Sequence, residues 1–287
     1  MIKKNKIYLT FDYELFLGTP NGGIEDCLLN PTRRINNVLS LQNVTGTFYV
    51  DFAYLFYLQQ SRSIELDLIR KQLLILRKQG HSIQLHLHPH WIDKNSEKNQ
   101  TTRFYIDQYS LEEITDMVKD LLRFAEKFLD LKLTSYRAGG LINENLPYLD
   151  YSLQELGLET DSSILDFQNI NCQYLKQYNI SSTYYSPLFY WKLVYQRYFG
   201  NKNTTKFGKG NSLPMPLYQK LRRLFLGATD HLSFDSNKWT KTENYVSKNK
   251  FNTVILSHPK AMNQMSIISL SKYIERNKKI ADFKVIE

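Results

Sequence analysis

The sequence predicts an α/β chain in which strand and helix alternate, giving a parallel sheet or a (β/α) barrel. β-branched and aromatic runs of strand length recur along it, and stretches with helical apolar spacing separate them. Polar residues capable of chemistry fall at the ends of those runs, as they do at the mouth of a parallel barrel. With 287 residues, 42% of them apolar, the chain can bury the core of one domain spanning 1–287.

The elements follow in order. Ile7 to Phe11 reads as a strand ending on Asp12. Asn30-Pro31-Thr32 starts a helix that runs to about Leu41, because proline is preorganised for a first helical turn. Thr45 to Val50 is a second strand, and Ser63 to Lys78 a helix stopped by Gly80. Ile83, Leu85 and Leu87 alternate in a third strand, which Pro89 turns. Residues 93 to 108 are polar and loop-like, and Ser110-Leu111-Glu112-Glu113 forms a capping box for a helix reaching about Leu129. Lys132 to Tyr136 is strand-like, Leu146 to Leu156 helical up to Gly157, and Leu158 to Thr160 a strand. Regularity then fails over an insertion at about 166–250. It is rich in aromatics (Tyr184, Tyr185, Phe189, Tyr190, Trp191, Tyr195, Tyr198, Phe199) and carries a basic loop over 200–210. Those rings read either as sugar-stacking platforms or as buried core. Val254-Ile255-Leu256 resumes as a strand, Ser266 to Arg276 as a helix, and Phe283 to Ile286 as a last strand.

A net charge of +9 raises nucleic acid as a partner, but lysine and arginine are spread along the whole length. Lys220-Leu221-Arg222-Arg223 is the nearest thing to a cluster, so nucleic acid is not expected. Contact with an acidic glycan or an anionic membrane face stays open. Met1 to Lys6 is basic, yet Thr10, Asp12 and Glu14 arrive too early for a signal peptide. No stretch approaches the roughly 20 apolar residues of a membrane span. A cytoplasmic chain is expected. Cys27 and Cys172 are too few for a disulfide scaffold and lack metal-ligand spacing.

Four of the six histidines lie between His81 and His90. Neutral imidazole is a common ligand of divalent metals, and alternation alone would put His86, His88 and His90 on one face of a strand end. Asp12 and Glu14, Arg137, Asp161 and His258 fall at the ends of other strands, so a barrel would bring them to the same mouth. Asp12 and Glu14 share a face only if the backbone stays extended.

The ordered set Thr10-Phe11-Asp12-Tyr13-Glu14, Gly80-His81 with His86-Leu87-His88-Pro89-His90, Tyr136-Arg137-Ala138-Gly139-Gly140, Thr160-Asp161-Ser162-Ser163 and Leu256-Ser257-His258-Pro259 resembles the motifs of the NodB-homology polysaccharide deacetylases, the fourth carbohydrate esterase family. The flavour is that of the branch linked to surface-polysaccharide synthesis. The adjacent Asp-Asp usual in that family is replaced by Asp12-Tyr13-Glu14.

The resemblance implies a distorted (β/α) barrel, seven-stranded, and hydrolysis of an acetamido group on a sugar, glycolipid or polysaccharide by water on a divalent metal. Zinc is the expected ion, with cobalt or nickel as substitutes. It selects Glu14, His86 and His90 as ligands and leaves His88 as a reserve ligand or a substrate contact. Asp12 would be general base, oriented by Arg137, with the roles of Asp12 and Glu14 exchangeable. His258 would be general acid, held protonated by Asp161. His81 and His231 read as structural. Two other readings stand beside this one: a metal-dependent amidohydrolase on a non-sugar amide, and an inactive glycan-binding scaffold.

Overall fold

The computed structural model describes residues 4–16, 22–93, 103–141, 148–168, 172–191, 223, 226, 228–236, 238–245 and 252–287. The basic stretch 200–210, the cluster at 220–222, Tyr195, Tyr198, Phe199 and most of the expected insertion lie outside the described residues.

The expected parallel sheet is present. Its strands are β1 (Asn5–Tyr13), β2 (Thr47–Asp51), β3 (Ser82–Leu87), β4 (Ser135–Ala138), β5 (Thr160–Asp161) and β6 (Lys176–Gln177), followed after a small antiparallel pair, β7 and β8 (Ser182–Tyr185, Ala228–His231), by β9 (Asn252–Ser257) and β10 (Ala281–Lys284). Seven of them run β10-β1-β2-β3-β4-β5-β6, and β9 pairs with the other edge of β1. β1 holds β10 beside Asn5 to Tyr8 and β2 beside Thr10 to Tyr13, end to end along one edge, which distorts the barrel. Beyond β6 the wall continues through irregular backbone. Ile180 N–H donates to the Ile164 carbonyl at 2.7 Å, and Ser181 N–H to the Val254 carbonyl on β9 at 2.9 Å.

Among the described residues, the helices between strands include α1 (Asn30–Leu41), α2 (Phe52–Gln60), α3 (Glu65–Lys78), α4 (Leu111–Leu129), α5 (Leu149–Glu155), α6 (Trp239–Glu243) and α7 (Gln264–Asn277). The capping box on α4 forms as the sequence predicts: Glu113 N–H donates to Ser110 Oγ at 3.2 Å and Ser110 N–H to Glu113 Oε2 at 2.8 Å. Boundaries shift elsewhere: β4 is Ser135–Ala138 where the sequence predicts Lys132 to Tyr136, the last strand is Ala281–Lys284 where it predicts Phe283 to Ile286, and α2 is not expected at all. The first helix begins a turn early with a π-helical segment, Glu25–Leu29, ahead of Pro31, whose missing N–H interrupts the ordinary ladder. α2 carries no amphipathic period in Phe52-Ala53-Tyr54-Leu55, because five of its residues are buried; Asp51 caps it by accepting from Tyr54 N–H at 3.4 Å. None of the described helices is long and apolar enough to cross a membrane.

Strand alternation sorts the side chains. Ile7, Leu9 and Phe11 of β1, Phe48 and Val50 of β2 and Ile83, Leu85 and Leu87 of β3 join helix residues such as Ile35, Leu73 and Leu121 in one apolar core. The alternate residues Thr10, Asp12, Tyr49, Gln84, His86 and Arg137 are equally buried but polar. They face the barrel interior and bond to one another: Tyr49 Oη lies 2.8 Å from Ser135 Oγ, and Gln84 Oε1 accepts from Ser135 N–H at 2.8 Å. A buried polar interior survives only when satisfied in this way.

His81 has the structural role expected of it. Gly46 N–H donates to its Nδ1 at 3.0 Å, so its Nε2 carries the proton and donates to Asn36 Oδ1 at 2.9 Å. Burial pushes the imidazole down to about 4. Below pH 6.5 the unfolded chain therefore takes up a proton that the folded chain refuses. The stabilisation is complete above pH 6.5 and is lost as pH falls toward 4, by about 3 kcal/mol in all. In urea unfolding, the stability gap between wild type and His81→Asn is expected to shrink by about that amount between pH 7 and pH 4. A gap independent of pH would refute this reading.

Candidate metal and catalytic site

The site gathers at the C-terminal ends of β1, β3, β4 and β9, where a parallel barrel opens. β1 brings Asp12, and the chain stays extended enough for Glu14 to face the same mouth; the two are 2% and 6% exposed. β3 ends at Leu87, with His86 pointing in and His88 following on the same side. β4 contributes Arg137, which is wholly buried.

Arg137 organises this end. Its Nη1 donates to Asp12 Oδ1 at 2.5 Å, and its Nη2 to Thr10 Oγ1 at 3.0 Å and to Ser162 Oγ at 2.8 Å. Nε donates to the Ser162 carbonyl at 2.9 Å, and the guanidinium lies 3.9 Å from the Tyr49 ring centroid. Asp12 Oδ1 is thereby occupied, while Oδ2 stays toward the mouth, 3.8 Å from both His86 Nε2 and His258 Nε2.

Glu14, His86 and His88 offer ligand atoms that all lie within 4.8 Å of one another. The His86 tautomer follows from its surroundings. Nδ1 faces the Arg137 carbonyl at 3.1 Å, and a carbonyl only accepts, so Nδ1 carries a proton. In the neutral ring, Nε2 then aims a lone pair at Glu14 Oε2, 3.1 Å away. His88 Nε2 converges on the same oxygen. The His86 lone pair and the Glu14 carboxylate that face each other require positive charge between them, either an added proton or a metal ion. The donor set of two imidazoles and a carboxylate suits zinc and similar ions, and the backbone carbonyl behind His86 is the usual support for a ligating histidine. These residues therefore fit a divalent cation.

His90 stands apart from this group. The extended backbone ends at His88, and Pro89–Trp91 forms a 3₁₀ turn, so alternation no longer returns residue 90 to the mouth. Its ring packs against Trp91 and Phe104 at centroid distances of 4.6 and 5.3 Å. His88 is the histidine that lies beside Glu14 and His86. Room for it comes from Gly139: a Cβ there would sit 2.5 Å from His88 Nδ1.

Asp161 Oδ1 accepts from Ser163 N–H at 2.8 Å, next to Arg137's partner Ser162, and Cys172 Sγ lies 3.7 Å from its Oδ2. Asp235 holds His258, with Nδ1–H donating to Oδ2 at 2.9 Å and the backbone N–H to Oδ1 at 2.8 Å. Burial opposes charge on that imidazole, but Asp235, followed by Asp12 and Glu14, raises its pKa above the ordinary value. Burial works against the Asp235 carboxylate too, and His258 nevertheless holds it down at about 2. His231 lies in a second cluster with Asp235 and His258. There the Lys238 ammonium, 3.4 Å from both His231 ring nitrogens, would meet any added cation, so hydrogen-bonded protons suit this cluster better than a metal.

Three groups escape the sequence reading, Asp51 buried and Asp235 and Lys260 partly buried. Asp51 ends β2 as Asp12 nearly ends β1, and the same strand-end rule could have found it; burial, opposed by His88 and aided by Glu14, pushes it up to about 7. Asp235 follows an irregular segment and carries no signal. Lys260, two residues past His258, donates to Glu14 Oε1 at 2.9 Å. Burial works to raise the Glu14 carboxyl, but Lys260 and the imidazoles of His88 and His86 outweigh it and hold the group well below its usual range.

No family model matches the sequence, and no curated protein matches it. Solved structures do. A Mycobacterium smegmatis protein described as a polysaccharide deacetylase is 15% identical, with 98% of this chain and 86% of that chain covered and a TM-score of 0.56. A family 4 acetyl xylan esterase from Clostridium thermocellum, in complex with cobalt, is 15% identical over 98% and 87% of the two chains at a TM-score of 0.47. A Bacillus cereus polysaccharide deacetylase is 14% identical over 99% and 93% at 0.46. The assignment rests on the first of these, the others falling below 0.5. With the parallel barrel described above, the likeness gives this chain the fold of the NodB-homology polysaccharide deacetylases.

Proposed function

We propose that the protein is a metal-dependent N-deacetylase acting on an acetamido group of a sugar or polysaccharide precursor. The observation that carries this is the convergence of His86 Nε2 and His88 Nε2 on one oxygen of Glu14, beside an Asp12 carboxylate held by Arg137. Glu14, His86 and His88 would hold the ion. A bound divalent ion polarises an amide carbonyl and lowers the pKa of water.

The remaining steps belong to the side chains. Arg137 pins Asp12 through Oδ1, leaving Oδ2 to take a proton from water as it attacks the carbonyl. This favours Asp12 as base and Glu14 as ligand over the exchanged roles. His258, whose pKa Asp235 raises, presents Nε2 to the mouth and delivers a proton to the departing amine nitrogen, without which an amine leaves poorly. Asp235 orients His258 and favours its protonated form, the role the sequence suggested for Asp161.

Zinc titration separates the ligand sets. His88→Ala and Gly139→Ala are expected to weaken zinc binding by at least about 10-fold, and His90→Ala to change it little. Loss of zinc from His90→Ala, with His88→Ala unaffected, would restore the ligand set the sequence suggested.

Acetate release from N-acetylated sugars, polymeric, lipid-linked and nucleotide-linked, tests the activity. Release should require zinc and stop with chelator. Asp12→Asn should keep the metal and lose about 10²–10⁴-fold in turnover. Metal without acetate from any such sugar would favour a non-sugar amide; absence of metal would favour the scaffold.

Asp235→Asn should lower turnover by about 10–100-fold, while Asp161→Asn stays within a few-fold of wild type. The reverse order would return the orienting role to Asp161.

A further inference from the structure

Lys260 has no part in the proposed chemistry, yet its side chain is only 8% exposed. The 3₁₀ turn Pro259–Ala261 that follows His258 delivers it beneath the mouth. Its Nζ donates to Glu14 Oε1 at 2.9 Å and to the Leu15 carbonyl at 2.5 Å, and lies 4.9 Å from the Phe16 ring centroid. An ammonium is strongly hydrated and costly to bury unless a partner compensates it. The Glu14 carboxylate supplies that compensation and is divided by it: Oε1 faces Lys260, and Oε2 faces His86 and His88. A divalent cation held at Oε2 would share a single negative charge with an ammonium on the adjacent oxygen, and the two cations would repel across the carboxylate.

We propose that Lys260 is an internal counter-cation of Glu14. It keeps the carboxylate paired and in place when no metal is bound, and it lowers the site's affinity for a divalent ion by drawing on the same charge. The ion is then exchangeable where an unopposed Glu14, His86 and His88 set would hold it tightly. Lys260 acts through Glu14 and touches no substrate, so it is a positioning residue. The inference rests on the metal-binding reading of Glu14, His86 and His88.

The test compares zinc affinity, by competition with a chromophoric chelator, in wild type, Lys260→Met and Lys260→Arg, together with thermal melts with and without zinc. Lys260→Met is expected to bind zinc at least about 10-fold more tightly, to melt lower than wild type without metal, and to regain most of that loss with zinc. Lys260→Arg, which keeps the charge, should stay near wild type in affinity. A lysine that merely braces the turn would lower both melting points alike and leave zinc affinity unmoved. Affinity of Lys260→Met equal to wild type, or weaker, overturns the inference and leaves the proposed function standing. No zinc binding in any variant overturns both. Zinc binding by Lys260→Met alone upholds the inference and counts against metal dependence of the natural chain. Should Lys260→Met fail to fold, Lys260→Gln, which keeps a donor for the Leu15 carbonyl, carries the same comparison.

Discussion

The guanidinium of Arg137 bound to Asp12 is the contact on which the mouth of the barrel depends. It is an ion pair with both partners essentially out of water, and such a pair persists only when its remaining donors and lone pairs are met. Thr10 and Ser162 meet them on either side, and Tyr49 covers the flat face of the cation. Because Asp12, Thr10, Tyr49, Arg137 and Ser162 come from β1, β2, β4 and the end of β5, the ion pair ties distant segments into one register. Loss of either partner would strand a buried charge at a cost of about 3–5 kcal/mol.

The same residue links stability to chemistry. The Arg137 side chain orients Asp12, and its backbone carbonyl fixes the His86 tautomer. One strand position therefore sets both the base and a ligand, and small backbone movements at β4 would disturb them together. Around this centre the charges are nearly matched in pairs: Asp12 with Arg137, Glu14 with Lys260, Asp235 with His258 and Asp230 with Lys238. Pairing of this kind offsets the cost of burying charge.

Much of the fold was legible because its signals are local. The β1 and β3 alternation, the capping box of α4 and the helical spacing of α3 and α7 each need only neighbours in sequence. α2 was not legible, since a helix buried on most sides loses the amphipathic period that would reveal it. The placement of His88, and not His90, beside Glu14 and His86 has a similar origin. Alternation holds only while the backbone remains extended, and Pro89 ends that extension between the two histidines.

The sequence by itself determined the parallel α/β architecture, the strand ends that carry Asp12, Glu14, His86, Arg137 and His258, and the structural place of His81. Periodicity and turn chemistry are properties of short stretches, so they can be read without knowing what packs against them. Only the tertiary structure decided that Asp235 reaches His258, that Gly139 makes room for His88, and that Lys260 pairs with Glu14. Those pairings join residues 23, 51 and 246 positions apart, and their distances depend on how the barrel wall curls. No spacing along the chain encodes that curl.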